Sequence, residues 1–303
     1  IGKTQEAETA CRKAIELNPK LFNSHFLLGT ILIGQKKLQE AAQSLRKAIE
    51  LKPDFVNSHF LLGRILFDQK KLQEAEVSIS KAIEIKPNFA DAHYTLGVLL
   101  SDLSKRKEAE LSFRKAIEIK PDCVDAHYNL GIILKGLGKL QEAKLSTRKA
   151  IELKPDFADA HLNLGSIFKD LGKLKDAELS CQKAIELKPD FVDAHLNLGS
   201  IFKDLGKLKD AELSCRKAIE LKPDLADAHL NLGSIFKDLG KLKDAELSYR
   251  KAIELKPDLA EAYSNLGNIL NEFGQLKDAE LSLRKAIELK PDYAKAYRTL
   301  GLV

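Results

Sequence analysis

Nine prolines (Pro19, Pro53, Pro87, Pro121, Pro155, Pro189, Pro223, Pro257 and Pro291) stand 34 residues apart along the chain. Nine glycines, from Gly29 and Gly63 through to Gly267 and Gly301, keep the same interval. A fixed period of this length is the signature of one supersecondary unit repeated, with each unit stacking on the next to bury apolar faces. The register gives full repeats at 22–55, 56–89, 90–123, 124–157, 158–191, 192–225, 226–259 and 260–293, with partial repeats at 1–21 and 294–303. Length alone suggests two domains, but a solenoid grows by addition, so the expectation is a single solenoid over 1–303. The chain begins in mid-repeat without Met, so the true N-terminus is expected to be missing. The cut ends are expected to fray or to associate end to end, because terminal repeats normally carry a polar cap.

Each copy reads as two helices. In 158–191, Ala160, Leu164, Ile167 and Leu171 recur at spacings of four, three and four, one apolar face of an α-helix. Gly172 then breaks the pattern, and its tolerance of positive φ suits the residue just past a helix end. A second run follows in Leu174, Ala177, Cys181, Ala184, Ile185 and Leu187, and Pro189 stops it. Asp190 and Asp193 have the spacing of a capping-box variant that would start the next helix. Gly165, Ala177 and Ala184 recur in nearly every copy and leave room for close backbone approach, while Leu164, Phe168 and Leu174 fill the space between helices. No stretch alternates as a strand does.

The 34-residue period, with Leu164-Gly165, Phe168, Ala177, Ala184 and Pro189 at their offsets, resembles the tetratricopeptide repeat (TPR). The position often held by Trp in that family carries His or Tyr here. The resemblance implies an all-α, right-handed superhelix, with first helices lining a concave face and second helices outside. It also implies a function: holding peptides or other proteins.

Composition excludes little else. The chain is 44% apolar and 31% charged, with acids and bases interleaved and a net charge of +5. That weak excess does not imply nucleic acid. No apolar run approaches the length of a membrane span, and a cytoplasmic location is expected. The seven histidines (His25, His59, His93, His127, His161, His195 and His229) share one repeat position. Ligands of one zinc must come within about 3–4 Å of each other, whereas stacked helices hold equivalent atoms about 8–10 Å apart. Packing is therefore the reading, and neither metal nor cofactor is expected. Cys11, Cys181 and Cys215 alternate with Leu, Ile, Phe, Thr and Tyr at one position, the behaviour of a small hydrophobe. Catalytic groups would have to recur in register, so no active site is expected.

A polar row is the candidate site. Asn129, Asn163, Asn197, Asn231 and Asn265 occupy successive copies on the first helix, just before the Leu-Gly pair. An amide both donates and accepts, so it can grip a peptide backbone group of either kind. The row resembles the asparagine ladder in the TPR arm of the O-GlcNAc transferases. The alternative is that these amides merely bond across to neighbouring copies. Beside the row stand Phe26, Phe60, Tyr94 and Tyr128, replaced from the fifth copy on by Leu162, Leu196 and Leu230 with Asp159/Lys169, Asp193/Lys203 and Asp227/Lys237. An apolar groove would thus run into a zwitterionic one, unless the aromatics pack on neighbouring helices. Two function classes remain open: a protein- or peptide-binding scaffold, and the substrate-recruiting arm of a larger enzyme. A clamp for a terminal carboxylate is set aside, since Lys295–Thr299 lacks the Arg. An RNA-reading array is set aside as well, because its residues would vary from copy to copy.

Overall fold

The computed structural model describes residues 2–302, and among the described residues every regular element is a helix. Contacts divide the chain into two compact units, Ile1–Pro155 and Asp156–Val303. The first holds α1 (Gly2–Leu17) and four hairpins: α2 (Phe22–Gly34) with α3 (Leu38–Leu51), α4 (Val56–Asp68) with α5 (Leu72–Ile85), α6 (Ala90–Asp102) with α7 (Arg106–Ile119), and α8 (Val124–Gly136) with α9 (Leu140–Leu153). The second holds α10 (Ala158–Asp170) with α11 (Leu174–Leu187), α12 (Val192–Asp204) with α13 (Leu208–Leu221), α14 (Ala226–Asp238) with α15 (Leu242–Leu255), and α16 (Ala260–Glu272) with α17 (Leu276–Leu289), followed by α18 (Ala294–Leu300). This is the all-α solenoid architecture of TPR proteins.

Small residues set how closely the helices of a hairpin approach. A Cβ added at Gly165 would lie 2.5 Å from Cys181 Sγ and 3.2 Å from the carbonyl oxygen of Ala177. The facing position is occupied by Leu45, Ile79, Phe113, Thr147, Cys181, Cys215, Tyr249 and Leu283, all buried. One slot accepts a thiol or a phenol because its glycine partner contributes no side chain. The thiols there behave as packing groups, and burial pushes Cys181 and Cys215 up to about 12.

Helix ends follow the sequence at one side of each hairpin and depart from it at the other. Gly172 adopts φ +71° just beyond α10, as its position requires. The expected Asp190–Asp193 cap does not form. The residue preceding α12 is Phe191, with no side-chain cap. A backbone turn takes the place of the cap: the Phe191 amide donates to the Lys188 carbonyl at 3.0 Å, and the Ala194 amide donates to the Phe191 carbonyl at 3.0 Å. The histidine then ties down the loop. His195 Nε2 lies 2.9 Å from the Pro189 carbonyl oxygen, and His25, His59, His93, His127 and His229 bond their own loop prolines in the same way at 2.8–3.0 Å.

Within each unit the first helices of successive hairpins touch, as α4 does with α2 and α6, and α12 with α10 and α14. Among the described residues no two second helices make comparable contact. The first-helix face is therefore the inner side of each stack.

Candidate functional site

The asparagine row lies on this inner side, directly before the buried Leu-Gly pair of its first helices, and its members differ. Asn197 and Asn231 are half-buried, and neither makes a side-chain hydrogen bond among the described residues. Their amides are available. Asn163 is also half-buried. Asn129 donates from Nδ2 to the Tyr94 hydroxyl oxygen of the preceding repeat at 3.2 Å. Asn265 is only 6% exposed, and its Oδ1 accepts from Lys295 Nζ at 2.9 Å. Its neighbour Asn268 accepts from the Thr299 hydroxyl at 2.7 Å. The short helix α18 thus folds its polar side chains onto α16 and covers the last amide of the row.

The aromatic positions do not form an open strip. Phe60 is 9% exposed and packs on Phe89 at a centroid separation of 4.8 Å, with Arg64 over its ring. Phe26 is half-buried, in edge contact with Phe55 at 4.9 Å and stacked on Phe22 at 6.2 Å. Tyr94 is half-buried near Phe113 at 5.9 Å, and burial raises its phenol above the ordinary range. Tyr128 is half-buried. In α2 and α4 the rings are held by the aromatic residue of the following loop, Phe55 or Phe89, an interaction that sequence periodicity does not show. Aliphatic surface instead opens at Leu27, 50% exposed, which occupies the asparagine position in α2.

Between α10 and α16 the inner face is polar and cross-linked. Lys169 Nζ donates to Ser200 Oγ at 2.5 Å and lies 3.4 Å from Asp204. Lys203 repeats this with Ser234 and with Asp238 at 3.7 Å. Lys237 lies 3.8 Å from Glu272. Each lysine reaches forward to the next first helix, so the acid earlier on its own helix (Asp159, Asp193 or Asp227) stays exposed. Among the described residues no cluster of His, Cys, Asp and Glu could hold a metal, and no helix is long and apolar enough to cross a membrane.

A stack of like hairpins with a row of amides on its inner side defines a helical-repeat interaction scaffold. Family models sharpen the class. Models described as tetratricopeptide repeat match residues 90–123, 124–157, 158–191, 192–225 and 260–293, and a TPR-repeat model matches 63–104 and 233–272. The chain belongs to the tetratricopeptide repeat family. A model of anaphase-promoting complex (cyclosome) subunit 3 matches 2–82. No curated protein matches the sequence. Among solved structures, the chain is similar to YrrB, described as a TPR protein with an unusual peptide-binding site. The two are 27% identical over 61% of this chain and 95% of that one, with a TM-score of 0.50. A TPR protein from Parabacteroides merdae is 19% identical over 82% of this chain and 98% of that one, at a TM-score of 0.68. The Cut9–Hcn1 hetero-tetramer of the anaphase-promoting complex gives 16% over 98% of this chain and 58% of that one, at 0.67. The last two likenesses bear on fold alone. The family and the likeness to YrrB together support a protein-interaction scaffold.

Proposed function

We propose that the chain is a non-catalytic scaffold that holds an extended peptide, or an extended segment of a protein, against the first-helix face. The carrying observation is that Asn197 and Asn231 present unpaired amides at equivalent points of adjacent repeats. First helices spaced by about 8–10 Å and an extended chain advancing about 3.3 Å per residue put one amide at about every third ligand residue. Such a grip reads backbone and tolerates sequence. Asn163 extends the row in the second unit. Asn265 joins it by exchanging its bond to Lys295 for a bond to the ligand, and in the first unit Asn129 plays the same part by exchanging its bond to Tyr94. In the first unit Phe26, Phe60, Tyr94 and Tyr128 supply apolar contact area and therefore more side-chain selectivity. The peptide-binding site named for YrrB supports this reading by analogy.

The test is to select a ligand from a random peptide library and measure its affinity calorimetrically for wild type and for Asn197→Ala/Asn231→Ala. Backbone-directed binding should weaken in the double variant and survive scrambling of the peptide within about tenfold, an energy of about 1.4 kcal/mol. Unchanged affinity in the variant would sink the proposal.

A further inference from the structure

The outer face carries a defect in an otherwise regular pattern. In the first unit, an arginine on α1, α3 and α7 reaches the glutamate one repeat ahead. Arg12 meets Glu40 at 2.6 Å, Arg46 meets Glu74 at 2.8 Å, and Arg114 meets Glu142. At the same position α5 has Ser80. Glu108, the acceptor in this register, is left with Lys105 at 4.0 Å and no guanidinium.

The surface is hollowed out there. A cavity of about 880 Å³ spreads from α3 across α4 and over α5, with Ile49, His59, Leu62, Val77 and Ser80 in its lining. Equivalent hollows exist elsewhere, at Ile117, His127 and Leu130 and at Ile185, His195 and Leu198, but they measure about 400 and 390 Å³. The floor is the same in all three, while the α5 wall differs. Ser80 removes the arginine side chain, and Val77, 71% exposed, stands where α7, α9, α11, α13, α15 and α17 have an exposed leucine.

We propose that this outer hollow is a second docking site, separate from the first-helix face. Its occupant is an amphipathic segment of a partner protein that seats aliphatic side chains on Ile49, Leu62 and Val77 and sets an arginine beside Ser80 and Glu108. The repeats themselves specify the missing group. At α1, α3 and α7 of the same unit this register is filled by a guanidinium bonded to the glutamate one repeat ahead, and a planar fork suits a carboxylate better than a lysine ammonium does. Ser80 lines the hollow and occupies the register whose arginine in α3 and α7 bonds the counterpart of Glu108, so a single helix with arginine beside leucines engages both the aliphatic floor and that acceptor.

The probe is a display library of amphipathic 18-residue peptides with fixed leucines and randomised polar positions. It is selected on the whole chain in the presence of excess unlabelled Ser80→Arg protein. Arginine is what neighbouring repeats carry at this position, so the variant keeps the fold while filling the hollow, and its circular dichroism melt checks this. Enriched peptides should carry arginine next to leucine. They should bind wild type at least tenfold more tightly than Ser80→Arg, and lose about threefold on Glu108→Gln. Val77→Asp, at an exposed position, should weaken them without touching the fold. Binding to the first-helix variant Asn197→Ala/Asn231→Ala should be unchanged. Selection of peptides without a basic residue, equal affinity for Ser80→Arg, or no enrichment against that competitor would each overturn the proposal.

Discussion

The hairpins of the second unit are near copies of one another, whereas those of the first have diverged, and the divergence falls at particular positions. Loop turns at positive φ are glycine in the second unit (Gly172, Gly206, Gly240 and Gly274), whereas the first has Gly138 but also Lys36, Lys70 and Ser104, at φ near +60°. Inner faces change from Phe26, Phe60 and Tyr94 to Leu162, Leu196 and Leu230, with unpaired amides at Asn197 and Asn231 beside the last two. Ion pairs between successive second helices join Arg to Glu in the first unit, while Arg216, Arg250 and Arg284 pair within their own helix. The close glycine contacts and the buried second-helix alanines are common to both. Packing thus fixes a short list of positions, and everything else is open to drift or to selection by a partner. Exposed Lys175 and Asp176 recur at 209–210 and 243–244 although packing does not require them. Recent tandem duplication accounts for that uniformity.

The largest effect should come from breaking what both units share. A Cβ at Gly199 would lie 2.6 Å from Cys215 Sγ, and the buried thiol has no room to retreat. Gly199→Val should cost about 3 kcal/mol, the upper part of the overpacking range. Gly199→Ala should cost less, and Cys215→Ala in the same molecule should restore part of the loss. Chemical-denaturant midpoints of the four proteins form a double-mutant cycle. Strict additivity would mean that the glycine does not serve that contact.

Binding effects come next. With about 0.5–1.5 kcal/mol per hydrogen bond, Asn197→Ala/Asn231→Ala should lose about 1–3 kcal/mol of ligand affinity, or about five- to a hundredfold. Its melting point should move little, because these amides have no partner to lose and Ala has the higher helix propensity. A variant that melts much earlier would show the amides to be structural.

Turn chemistry gives a smaller contrast of opposite sign in the two units. The left-handed conformation costs a non-glycine residue about 1–2 kcal/mol. Lys70→Gly should therefore stabilise the first unit by up to about 1 kcal/mol once the greater chain entropy of glycine is subtracted. Gly206→Ala should destabilise the second by a similar amount. Thermal melts that move in the same direction for both would contradict the assignment of strain.

Much of this was legible in the period alone: paired helices, the glycine turn past α10, the small residues that let helices approach, and the row of amides. What escaped was contact between copies. Nothing in a 34-residue pattern shows that Phe89 closes over Phe60, that Lys295 reaches back to Asn265, or that a loop proline carbonyl holds six of the histidines where an aspartate cap was expected. The hollow at Ser80 was visible only as one deviant letter. Its meaning depended on knowing where the other arginines go.

The smallest predicted effect separates two glutamates at one repeat position. Glu8 accepts from Gln35, Arg12 and Lys37, and these bonds lower its pKa from 4.5 to about 2. Glu212 is opposed by burial, but bonds from Lys241 and Arg216 prevail and its pKa is also lowered. The difference lies in the loop after the following first helix, where Gln35 in the first unit corresponds to Leu239 in the second. A carboxylate whose pKa falls on folding adds stability above its unfolded value, and this is lost as pH drops through the folded value. For Glu8 the window runs from pH 4.5 down to about 2. Hydrogen exchange should show α1 opening from α2 and α3 within that window, and Glu8→Gln should remove the pH dependence. Gln35→Leu gives the first unit the residue of the second. Carbon-detected titration of the Glu8 carboxyl should then show its pKa rising towards that of Glu212, with α1 opening at higher pH. A Glu8 titration unmoved by Gln35→Leu would assign the shift to Arg12 and Lys37 alone and erase this contrast between the units.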